Sequence, residues 1–251
     1  MLVTAVVIGV FGLVVGSFLN VCIARLPEGK SLWSPGSACP LCGAPIVWHD
    51  NIPVLSYVAL RGRCRACGGR IAWRYPLVEI VTSGLFVLTF LRLGWNPDLP
   101  IGLALVAALI TITGIDLSHQ IIPDVITLPG IFLGFLANMV TGRVSLFDSL
   151  LGILAGGGTF FVIIFVSKGG MGGGDMKLGA MLGAFLGWKV GLISLLIAVL
   201  AGGSTAVVLL LMKTRGRKDP VPFGPFLALG GLAGLLWGET LVAWYLGSFG
   251  R

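Results

Sequence analysis

Residues 101–116 read IGLALVAALITITGID, an uninterrupted apolar run that ends on a carboxylate. Read in a window of about twenty residues, such a run is a transmembrane helix. It is not alone. Comparable runs lie near Leu2–Ala24, Leu77–Leu91, Val125–Val140, Leu150–Val166, Leu178–Gly187, Val190–Met212 and Phe223–Leu246. The expected fold is therefore an all-α polytopic membrane protein with about eight transmembrane helices. The segment Leu178–Gly187 is short and its join to the next at Trp188-Lys189 is weakly marked, so seven spans is the alternative count. Composition agrees, with 56% hydrophobic and only 11% charged residues in 251, outside the range of a soluble domain. No positive residue precedes the first run and no small-residue cleavage site follows it, so it is read as a retained helix.

Basic residues orient the chain, because cytoplasmic loops retain Lys and Arg. With eight spans, one side carries Arg25, Lys30, Arg61, Arg63, Arg65, Arg70, Arg74, Lys168, Lys177, Lys213, Arg215, Arg217 and Lys218. The other carries Arg92, Arg143, Lys189 and Arg251. Thirteen against four places the N-terminus outside, the loop from Arg25 to Arg74 inside, and both Asp116 and Asp175 at the cytoplasmic face. The net charge of +7 is then a topology signal and calls for no nucleic-acid partner.

Four of the five cysteines fall in that loop, as Cys39-Pro40-Leu41-Cys42-Gly43 and Cys64-Arg65-Ala66-Cys67-Gly68. In each C-x-x-C-G, two thiolates can converge on one ion while the glycine lets the backbone turn around them. Two such pairs make a closed structural zinc site, which folds a loop too small to bury a core of its own. Disulfides are the alternative, disfavoured on a reducing cytoplasmic side. His49 and Asp50 lie between the knuckles, but a lone His in a polar loop reads as solvated rather than as a ligand. Cys22, in the first span, reads as buried packing.

Acidic residues are scarce, ten in all, and costly near lipid. Asp116 closes its apolar run at a helix C-terminus, where the dipole disfavours a negative charge. It opens the polar connection 116–124, in which Pro123 suits a first helical turn and Asp124 a capping role. Asp175 ends Gly172-Gly173-Gly174-Asp175, within the glycine-rich stretch 168–177. That stretch is expected to be non-helical, a backbone against which an extended substrate can lie. No phosphate-binding loop pattern occurs in it. If Asp116 and Asp175 converge, they cannot both ionise cheaply, so one serves as base and the other as acid toward a peptide bond. Two unrelated helix-end acids remain the plain alternative.

Taken in order, these residues resemble the bacterial type IV prepilin peptidases. The likeness runs through Gly16-Ser17-Phe18-Leu19-Asn20-Val21, Arg25-Leu26-Pro27, the cysteine pairs around 51–57, and Arg74-Tyr75-Pro76-Leu77-Val78-Glu79. It continues through Ile115-Asp116, Ile122-Pro123-Asp124, Gly172-Gly173-Gly174-Asp175-Met176-Lys177-Leu178 and Pro222-Phe223-Gly224-Pro225-Phe226. Met176 departs from the β-branched or aromatic residue frequent in the family.

The resemblance implies a G-x-G-D aspartyl protease of the bacterial inner membrane. Its catalytic aspartates map onto Asp116 and Asp175, and it removes the basic leader of type IV prepilins and type II secretion pseudopilins after a glycine at the cytoplasmic face. It also implies S-adenosylmethionine-dependent N-methylation of the new terminus, for which no binding residues are derivable here; Glu79 is a candidate for a cofactor or substrate site, or an interfacial anchor. The implied organisation is a first helix over 1–24, a cytoplasmic zinc-binding loop over 25–76 with ligands Cys39, Cys42, Cys64 and Cys67, and a transmembrane protease domain over 77–250. Membrane lipid is the surrounding partner. Rival readings are an ion- or proton-coupled transporter using the same aspartates, and an assembly factor built on the zinc loop.

Overall fold

The computed structural model describes residues 1–166, 172–212 and 221–249. The expected all-helical architecture is found. Among these residues lie eight α-helices: α1 Leu2–Arg25, α2 Leu55–Ala59, α3 Arg74–Leu93, α4 Asp98–His119, α5 Asp124–Thr141, α6 Leu146–Val166, α7 Gly173–Leu211 and α8 Gly224–Phe249. All but α2 are long and apolar enough to cross a membrane. Helices satisfy every backbone group within the segment, which lipid cannot do. The chain is thus a multi-pass membrane protein. Residues Lys168, Gly169, Gly170 and Met171 of the glycine-rich stretch, with Lys213, Arg215, Arg217, Lys218 and Arg251, lie outside the described residues.

The chain divides into two compact units, 1–99 and 100–251. In the first, α1 and α3 run antiparallel with small residues at the seam. A Cβ on Gly12 would lie 2.7 Å from Ser83 Cα, and one on Gly16 2.7 Å from Glu79 Cα. Such approach lets helix backbones gain dispersion contact where lipid removes the hydrophobic drive. Buried Asn20 closes the other end of the seam, donating to the carbonyls of Gly16 and Tyr75. The loop 26–73 between the two helices carries the cysteines. Its segment 51–57 is latched onto α3 by the Glu79 carboxylate, which accepts the Val54 N–H at 2.8 Å. Val54 has φ 61°, a costly conformation for a β-branched residue.

In the second unit α7 is the organising element. Its 39 residues would make a straight helix about 58 Å long, near twice the hydrocarbon thickness. The chain instead reverses at Gly187, where φ is 75° and ψ 172°. A Cβ on Gly191 would lie 3.4 Å from Gly183 Cα, whereas eight residues of straight helix cover about 12 Å. So α7 is two antiparallel arms, 173–186 and 188–211, at the place where the sequence suggested a join at Trp188-Lys189. Counted by helices there are seven candidate spans; counted by passes, the folded α7 restores the expected eight.

Reversal orphans the carbonyls before Gly187, and neighbours satisfy them. Ala184 accepts from Ser149 Oγ and Asn138 Nδ2, both at 2.8 Å, and both donors are buried. Trp188 Nε1 donates to Asp148 at 2.9 Å on the far side of the turn. Helix α6 packs backbone to backbone on the first arm, Gly152 against Gly183 and Gly156 against Gly179. Helix α5 lies along the same arm through Gly130 on Met181 and Gly134 on Phe185. Helix α8 pairs with the second arm through Gly230 on Ser194 and Gly238 on Val190. These contacts fix directions: the C-terminus of α4 and the N-termini of α5, α7 and α8 come together at one end of the unit.

Candidate active site and metal centre

Asp116 belongs to the last turn of α4, which continues to His119, rather than opening the connection that follows. Its carboxylate is 5% exposed in residue terms and accepts the backbone N–H of Gly224 at 2.8 Å. Gly224 is the first residue of α8, so a positive helix end offsets the unfavourable dipole of α4. The helix ends there because Gln120 adopts φ 55° and donates its N–H to the Asp116 carbonyl at 2.9 Å.

Asp175 occupies the third position of α7 and is 8% exposed. Its carboxylate accepts the N–H of Gly172 at 3.3 Å. Here the sequence expectation is corrected: Gly173 through Lys177 are helical, not an extended strip for substrate. A helix start wants a carboxylate at this position, and the capping bond offsets the glycine cost. Gly174 lets Ile122 approach, since a Cβ there would lie 2.8 Å from Ile122 Cβ.

The two acids therefore come from helix ends far apart in sequence, each buried and each held by a backbone N–H. Gly174, next to Asp175, packs on Ile122, six residues after Asp116, so both acids lie at the same end of the unit. Beside them, Asp124 does not cap α5; Pro123 is the N-cap residue and makes no side-chain bond. Asp124 instead takes Lys177 Nζ on both oxygens at 2.6 Å. An apolar cleft of about 220 Å³ opens next to the acids, lined by Leu117, Leu209, Val221, Pro222, Pro225 and Phe226.

In the other unit, the four cysteine sulfurs lie within 4.8 Å of one another. Both knuckles are built alike. Cys39 N–H bonds the Ala44 carbonyl and Gly43 N–H the Cys39 carbonyl, each at 2.9 Å; Cys64 with Gly69 and Gly68 with Cys64 repeat this at 2.8 and 2.9 Å. Gly43 and Gly68 take φ of 70° and 69°. Cys39 and Cys67 are 4.0 Å apart, against about 3.8 Å for the edge of a tetrahedron with 2.3 Å metal–sulfur arms. Cys39 is lowered to about 7 by the N–H groups of Cys42 and Leu41. For Cys42 the Ala44 N–H acts downward, but the Cys67, Cys39 and Cys64 thiols and burial outweigh it and push it up to about 11. Four converging sulfur donors, with Cys39 favoured as thiolate, are the donor chemistry of a soft metal site. All four thiols are free of disulfides.

His49 stays out of the sulfur cluster. Asp50 is held by Arg65 through two bonds of 2.8 and 2.7 Å, which keep its carboxyl below the usual range. Glu79 holds the loop, as described above, and Cys22 is buried in α1 as expected. The sequence reading missed the Gly224 donor and the Asp124–Lys177 pair. Gly224 lies inside a quoted motif, but only the fold shows that its N–H meets Asp116.

Residues 10–93 match the bacterial peptidase A24 N-terminal domain, and residues 103–207 match the type IV leader peptidase family. A prepilin leader peptidase/N-methyltransferase of Aeromonas hydrophila is 39% identical, covering 95% of this chain and 92% of its own. One of Pseudomonas aeruginosa is 37% identical over 94% and 91%. One of Myxococcus xanthus is 42% identical over 86% and 65%. No solved structure matches. With paired buried aspartates in one unit, a four-cysteine cluster in the other, and relatives aligned along nearly the whole chain, the protein belongs to the type IV leader peptidase family.

Proposed function

We propose that this chain is a membrane-embedded aspartic endopeptidase that removes the basic leader of type IV prepilins and related pseudopilins, then N-methylates the new terminus. The observation that carries the proteolytic reading is that Asp116 and Asp175 lie at one end of the unit, buried and each pinned by a backbone N–H. Two carboxylates that converge in a buried site share one proton economically. The ionised member takes a proton from water as the oxygen attacks the peptide carbonyl. The protonated member hydrogen-bonds the carbonyl oxygen, and the proton taken from water passes from the first aspartate to the leaving amine as the C–N bond breaks. Rigid helix ends supply the orientation. The apolar cleft at Leu117 and Leu209 suits the start of the substrate's apolar helix arriving from lipid.

Within the proposal, Lys177 marks the acid end of the unit as cytoplasmic, with Arg143 and Lys189 at the opposite end. Cys39, Cys42, Cys64 and Cys67 would hold zinc, which as a closed four-thiolate site would fold the loop rather than activate water. S-adenosylmethionine is the proposed methyl donor. The described residues form no strand, and so no glycine turn after a strand to cradle a nucleoside; no residue is assigned to it and no step is routed through it.

Mass spectrometry of a prepilin co-expressed with wild type, Asp116→Asn or Asp175→Asn tests both activities. Leader loss with one added methyl in wild type alone supports the whole proposal. Cleavage that persists in either variant removes that aspartate from the chemistry, and cleavage without methylation removes the transferase.

A further inference from the structure

Between Asp116 and Asp175 the structure leaves little slack, and one contact in that path has no other evident purpose. Helix α4 stops on the Gln120 turn, Ile122 seats against Gly174, Pro123 sets the entry to α5 at φ −69°, and Asp124 then grips Lys177. The grip ties the first residue of α5, eight positions after one acid, to the first turns of α7, two positions after the other. Asp124 is 54% and Lys177 31% exposed in their side chains, so the pair is too solvated to contribute much to stability. Its bidentate geometry is better matched to holding two helix ends in register.

We propose that Asp124 and Lys177 are positioning residues for the carboxylate pair: their ion pair clamps the N-terminus of α5 to that of α7 and so sets how Asp116 meets Asp175. The inference rests on the dyad reading above. An acid displaced by about 1 Å can cost on the order of a hundredfold in rate while substrate binding, made largely by the apolar helix, changes little. Loosening the clamp should therefore act on kcat and hardly on KM or thermal stability.

The test is steady-state cleavage of a purified prepilin by wild type, Asp124→Asn, Lys177→Met, the exchanged double variant Asp124→Lys/Lys177→Asp, and Asp175→Asn, with melting temperatures for each. Expected are kcat losses of about tenfold or more in both single variants, KM within about twofold, near-native melting, and substantial recovery in the exchanged pair. Single variants with native kcat would overturn the proposal. So would losses confined to KM, which indicate a substrate contact, or an equally stable exchanged pair that recovers nothing. Activity in Asp175→Asn would instead defeat the dyad itself, a separate outcome from failure of the clamp.

Discussion

Gly224 donates its backbone N–H to Asp116 at 2.8 Å, and a side chain at this position would have to displace the acid it holds, because a Cβ would lie 2.8 Å from the same carboxylate oxygen. The motif Pro222-Phe223-Gly224-Pro225-Phe226 is thereby tied to the site: the glycine is needed for approach to an acid rather than for a turn. Phe223 and Phe226 brace it, 6.1 Å apart, with Phe160 of α6 5.9 Å from Phe223.

Gly224→Ala should therefore lower leader removal by about tenfold to a hundredfold through displacement of Asp116. Initial rates on a purified prepilin, with circular dichroism to verify folding, check this. Native rates would mean that the Asp116 carboxylate tolerates a different seat.

Gly187 carries the reversal of α7 with φ 75°, and a Cβ there would also lie 2.7 Å from Val144 Cγ1. Gly187→Ala should destabilise the protein by roughly 1–3 kcal/mol through strain alone, more if Val144 cannot yield. A melting curve in detergent shows the shift; an unchanged midpoint would argue that the two arms can turn elsewhere.

Metal analysis should find about one zinc per chain, lost on Cys42→Ser or Cys64→Ser. Binding must deprotonate the thiols, and Cys42 without metal sits at about 11, so affinity should fall as pH drops. Chelator titrations at several pH values measure this. Metal-free protein with an undisturbed, protease-resistant loop would contradict the structural role.

The Asp50–Arg65 pair gives the same loop a second pH dependence. The Asp50 carboxyl is depressed by Arg65, so its contribution is fully present above the ordinary aspartate value of about 3.9 and lost as pH falls through the lower folded-state value. Amide exchange across 46–70 should accelerate in that acid window in wild type, and already near neutrality in Asp50→Ala. Equal exchange in both proteins would show that the zinc knuckles hold the loop unaided.

Much of the molecule was legible in one dimension because lipid imposes simple rules. Apolar run length gave the helices, and C-x-x-C-G spacing gave the sulfur cluster. What went unread in the sequence was the spacing of four between glycines at 152 and 156, 179 to 191, and 230 to 238, a small-residue pattern that signals close helix pairing. It explains why Gly173–Lys177 can be helical although five glycines in ten residues suggested otherwise: the helix is held by its packing, not by propensity.

The sequence by itself determined that the chain crosses the membrane many times, that thiols cluster in one loop, and that one acid closes an apolar run while another sits in a glycine-rich join before the next, since each follows from local composition and spacing. Only the tertiary structure decided that the stretch 173–177 is helical, that α8 delivers an N–H to Asp116, and that Lys177 belongs to Asp124. These depend on which helix ends share a place in space. That is fixed by the docking of glycine faces across tens of residues, and no local signal encodes it.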